Sequence, residues 1–71
     1  MNITRQFLQH TGLAVNEAAS LLAVHPITVR KWMADMQRPS VHAHMVMALI
    51  INDIIGINDI QAITESINEH Q

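Results

Sequence analysis

Pro26 is the residue that most narrows the folds open to this chain. A proline has no N–H and a φ held near -65°, so it belongs at the first position of a helix and not inside one. A helix is therefore predicted to begin at His25-Pro26 and run to about Asp35, with His25 near its cap and Val29, Trp32 and Met33 as its apolar face. The signals on either side are helical as well. Ile3, Phe7 and Leu8 share one helix face, and Gly12 stands as the terminator, which predicts a first helix over Ile3 to His10. Val15, Ala18, Ala19 and Leu22 form a second periodic set ending near Leu22 or Ala23. Its start has Ala14 where a Ser or Thr would cap, although Glu17 suits the first turn. Gln37 to Ser40 reads as a loop, with Ser40 placed to cap a helix from Val41 to about Asn52 that is apolar on nearly every side after His44. Gly56 interrupts the chain, and Asn58 or Asp59 is expected to cap a last helix carrying Ile60, Ile63 and Ile67. No segment alternates with period two over a useful length. The expected fold class is all-α, five short helices.

Only one domain fits in 71 residues and 8.0 kDa, so residues 1–71 are read as a single unit. A chain of this size buries only about 60% of its unfolded surface, and disulfides, metals or oligomerisation usually support it. There is no cysteine, which excludes disulfides and thiolate metal sites. Hydrophobic residues make up 49% and charged residues 14%, with a mean hydropathy of +0.17, which excludes disorder and leaves more apolar surface than so small a core absorbs. Met45, Met47, Leu49, Ile50, Ile54, Ile57, Ile60, Ile63 and Ile67 are too many for one core. A symmetric dimer interface is therefore expected within about 50–69, through Ile50, Ile54, Ile57, Ile60, Ile63 and Ile67.

The formal charge is -2 and the pI near 6.1, which by themselves argue against nucleic acid. The distribution reverses that reading. Arg30, Lys31 and Arg38 concentrate three of the four cations, whereas Asp53, Asp59, Glu65 and Glu69 place most of the acids at the C-terminal end. Such a chain is judged by its basic patch. Met1 to Leu8 lacks the apolar core of a signal peptide, and the mainly apolar run Val41 to Ile51 is far short of the roughly 20 residues that span a bilayer. A soluble cytoplasmic protein with no membrane partner is expected.

The segment Val15 to Trp32 resembles a DNA-binding helix-turn-helix. Two helices crossing steeply need a small residue at the contact, and Ala19 supplies it. Ala23-Val24-His25 has the length of the required turn, Val24 fills the gap between the helices, and Val29 and Trp32 anchor the second helix. Ala18-Ala19, Leu22-Ala23-Val24 and Thr28-Val29-Arg30-Lys31-Trp32 match the spacing of these families. The departure is Ala23, where glycine is usual; a left-handed conformation there costs about 1 kcal/mol for a residue with a Cβ. With the loop Met36 to Ser40 and the helix after it, residues 3–52 resemble the lambda-repressor-like, Xre-like domain of Cro-type phage repressors and of regulators encoded beside anti-CRISPR genes. A winged MerR or excisionase arrangement fits less well, because Val41 to Ile51 reads as helix.

The resemblance, with the helix-turn-helix at about 15–35, implies a homodimeric repressor on an inverted-repeat DNA operator, with helix 26–35 in the major groove. It implies bidentate recognition of guanine by Arg30, phosphate contacts by Lys31, Arg38, Thr28 and Gln37, base contacts by His25 and Ile27, and a phosphate contact by Asn16 at the start of the preceding helix. No cofactor or small-molecule ligand is expected. His42 and His44, two apart, point to different helix faces, and no third ligand has fitting spacing, so no metal is expected. No nucleophile with a nearby base and no glycine-rich phosphate loop is present, and an enzyme is not expected. The alternative function is a protein–protein interaction module, an antitoxin or adaptor that keeps the scaffold without specific DNA binding; exposed Ile27 suits it, whereas Arg30 and Lys31 do not.

Overall fold

The computed structural model describes residues 2–60. Among them it is all-helical, with α1 (Ile3–Thr11), α2 (Val15–Leu21), α3 (Pro26–Met33) and α4 (Val41–Ile51), followed by a helical segment at 57–60. The boundaries follow local chemistry. Asn2 caps α1, its Oδ1 accepting from the Arg5 N–H at 3.1 Å. Gly12, at φ 73°, closes the other end with its N–H on the Leu8 carbonyl at 2.9 Å. Pro26 opens α3 behind His25, whose Nδ1 accepts from the Ile27 N–H at 3.2 Å. Ser40 Oγ accepts from Ala43 N–H at 3.2 Å and starts α4.

Two helix starts lack a capping side chain and are served from inside the helix instead. Ala14 has no acceptor of its own, so only the reciprocal half of a capping box forms, Ala14 N–H donating to Glu17 Oε1 at 3.0 Å. The 57–60 segment uses the same device, Gly56 N–H donating to Asp59 Oδ2 at 2.8 Å. The last helix thus begins earlier than expected from Asn58 or Asp59 as cap. Asp59 serves from the third helical position, from which its carboxylate reaches back to Gly56.

Three helices end in a left-handed residue that is not glycine: Ala23 at φ 57°, Asp35 at 58° and Asp53 at 57°. In each, the next residue's N–H returns to a carbonyl five positions back, Val24 to Ala19, Met36 to Lys31 and Ile54 to Leu49, all at 2.9 Å. Val24 completes the motif by packing on the core, whereas Met36 and Ile54 remain exposed at 75% and 67%. The strain expected at Ala23 is therefore present. Aspartate tolerates this conformation better than alanine, and Ala23 is exposed, so a glycine there loses no packing. Ala23→Gly is expected to raise unfolding stability by about 0.5–1 kcal/mol, the relief of strain exceeding glycine's extra entropy loss. A urea midpoint shifted downward would contradict the strained turn.

The core is Phe7, Ala18, Ala19, Val29, Trp32, Ala43, Met47 and Ile50. α1 packs on α4 and α3, and α2 packs on α3. The small side chains of Ala18 and Ala19, both buried, let α2 approach its neighbours closely. Val29 and Trp32 hold α3 to this core and leave its opposite face free. Ile50 is 3% exposed and belongs to the same core, which corrects its placement in a dimer interface. A helix apolar all round gives no periodic clue to its inner face, and packing on α1 decided it. Ile54 is exposed, Ile57 and Ile60 are half-buried, and Ile63 and Ile67 lie outside the described residues. No helix among the described residues is long and apolar enough to cross a membrane.

Candidate nucleic-acid interface

α3 is amphipathic in a particular way. Val29 and Trp32 point inward; Ile27, Arg30 and Lys31 are exposed; Thr28 is half-buried. Ala34, the residue that caps its C-terminus, is also exposed. Trp32 is 3% exposed with its Nε1 buried, so this ring is a packing element and not a stacking platform. Ile27 is 48% exposed and stands beside His25, whose Nδ1 is engaged as the cap, leaving the Nε2 edge of the ring. Asn16 lies exposed on the first turn of α2, with no capping side chain before it. Gln37 and Arg38 are exposed on the loop after α3 and border a groove with Asn2, Ile3, Trp32, Asp35, Pro39 and His44.

Among the described residues the one contact between a basic side chain and a carboxylate is the hydrogen bond of His10 Nε2 with Asp53 Oδ1 at 3.2 Å, remote in sequence from the cationic segment. Arg5, Arg30, Lys31 and Arg38 thus have no carboxylate partner among those residues. An exposed cation without a partner keeps its full field for an external anion. No group of three or more His, Asp or Glu able to hold a metal occurs among the described residues.

Two residues that the sequence reading passed over hold the far end of α3. Asn2 Nδ2 donates to the Trp32 carbonyl at 2.7 Å and to Asp35 Oδ1 at 2.8 Å, with a longer contact to the Met33 carbonyl at 3.3 Å. Arg5 Nε donates to the Met33 carbonyl at 2.7 Å. The Trp32 carbonyl also accepts from the Asp35 N–H at 3.3 Å, just beyond α3, and a cation beside these last carbonyls suits the negative end of the helix. Asn2 carried a usable signal, an Asn directly before an apolar periodic segment; Arg5 carried none. The start of α1 therefore fixes the end of α3. Compared with known proteins, the chain matches no family model, no curated protein and no solved structure.

Proposed function

We propose that the chain is a sequence-specific DNA-binding transcriptional regulator, with α2 and α3 as a helix-turn-helix and α3 entering the major groove. The observation that carries this reading is the outward face of α3, where Arg30 and Lys31 stand exposed and without carboxylate partners among the described residues while Val29 and Trp32 lock the helix to the core. The turn supports it too: Ala23 is left-handed and Val24 packs inward, as the resemblance to Xre-like repressors requires. With only four cations in the chain, one protomer neutralises few phosphates, which favours a homodimer on an inverted repeat with half-sites about one helical turn apart. The exposed apolar residues Ile54, Val41 and Met45 supply surface for a second copy. Occupation of a promoter operator by such a dimer acts as repression.

The test is selection of the full chain against a random duplex library at about 150 mM salt, where weak non-specific attraction is suppressed. Enrichment of an inverted repeat is expected. Recovery of no motif would overturn the reading in favour of a protein-interaction module, which exposed Ile27 would then serve.

A further inference from the structure

We infer that Arg5 and Arg30 form one clamp on a single DNA backbone phosphate, so that Arg30 sets register and base readout falls to Ile27 and Thr28. This rests on the DNA-binding reading above and exchanges two of its roles, moving Arg30 from base to phosphate and Thr28 from phosphate to base.

The two side chains line the same shallow depression, together with Val15, Met33 and Ala34. Its other walls are apolar side chains, and no carboxylate contributes to it. Arg5 is not a loose surface arginine. Its own N–H is held by Asn2 Oδ1 at 3.1 Å, and its Nε is fixed on the Met33 carbonyl at 2.7 Å. A guanidinium has five N–H donors in a rigid plane, so the terminal nitrogens remain free and pre-oriented once Nε is engaged.

Two guanidiniums at one apolar depression repel each other until an anion arrives. The anion that fits is small, presents two oxygens and comes with a field that attracts cations, which describes the non-bridging oxygens of a phosphodiester. Placement on α3 agrees. Base edges are met mainly by the N-terminal residues of a recognition helix, and here those are the exposed Ile27 and half-buried Thr28. Arg30 lies further along, and the depression it lines is shared with Arg5 of α1 and Val15 of α2. That is the flank of α3 facing its own scaffold, where the DNA backbone runs when the helix is in the groove.

The experiment uses the full chain and the duplex recovered by selection, with single methylphosphonates replacing each backbone phosphate in turn. Neutralising one phosphate is expected to weaken the parent protein about tenfold. The same replacement is expected to have little further effect on Arg5→Gln or on Arg30→Gln. The two variants should be strongly non-additive in combination, since they lose the same contact. Both should lower the salt slope of binding and leave the base-pair preference unchanged. Arg5→Lys keeps the charge but not the fork, and it should recover the salt slope. A merely structural role for Arg5 would not give that recovery, and thermal melts of each variant report the fold separately.

The clamp is overturned if Arg30→Gln relaxes discrimination at one base pair, if the two variants map to different phosphates, or if Arg5→Gln leaves the salt slope unchanged. In those cases DNA binding itself still stands. If the parent protein binds no duplex, the clamp and the DNA reading fall together.

Discussion

Phe7→Ala is expected to remove about 3–5 kcal/mol of unfolding stability, the range for truncating a fully enclosed aromatic side chain. Phe7 is 0% exposed and is one of only two aromatic residues in the chain. It sits on α1, the helix that packs against both α4 and α3, so the cavity it leaves lies where three helices meet. Three of the other core residues, Ala18, Ala19 and Ala43, are too small to fill such a space. At about 0.05–0.15 kcal/mol per residue, a domain of this length has roughly 4–10 kcal/mol in total. The variant therefore loses between about a third and all of this margin at one position, and urea titration followed by far-UV circular dichroism should find its midpoint moved far toward low denaturant. Phe7→Leu keeps most of the volume and should lose much less. A Phe7→Ala protein within 1 kcal/mol of the parent, a difference far below the about 3–5 expected, would mean that α1 is not docked as described.

Arg30→Ala/Lys31→Ala is expected to weaken operator binding by about 100-fold or more, because each removed cation makes charge-assisted contacts worth about 1.5–3 kcal/mol. Both side chains are exposed, so stability should change by less than about 0.5 kcal/mol. This separation makes the double variant informative. The salt dependence should also flatten, the slope falling by between about 1 and 2 per protomer. The lower value applies if Arg30 shares its phosphate with Arg5. Fluorescence anisotropy on a labelled operator across a salt series reads both quantities at once. Unchanged binding would remove the face of α3 from any role in DNA recognition.

The parts of this fold legible in the sequence were those set by local chemistry. Pro26, Gly12 and Ser40 each determine a backbone boundary through one missing or supplied hydrogen-bonding group, and α3 and α4 begin, and α1 ends, beside them. The strain at Ala23 was legible for the same reason, since a turn that short demands a left-handed residue. What escaped was decided over longer range. α4 carries apolar residues on all sides, so nothing in its pattern separates buried Met47 and Ile50 from Met45 and Val41, exposed at 54% and 74%. Docking on α1 made that choice, and Ile50 went inward with it. Arg5 gave no signal in the sequence because its partner, the Met33 carbonyl, is a backbone group that no residue type announces. A carboxylate can cap from the first residue or from the third helical position, and Asp59 took the second option.

The hydrogen bonds from Asn2 to the end of α3 also bear on how the chain acquires its structure. They join residues thirty and more positions apart, Asn2 to Trp32 with a separation of 30 and to Asp35 with 33. α2 and α3 are neighbours in the chain and can meet early, whereas these bonds close only after α1 has docked on α3. The last turn of α3 is thus completed by the first of the described residues. Partial structures in which α3 is finished while α1 is still detached are penalised, and fraying of either end is felt at the other. The latch converts four short helices, each too brief to persist alone in water, into a unit that forms and melts together.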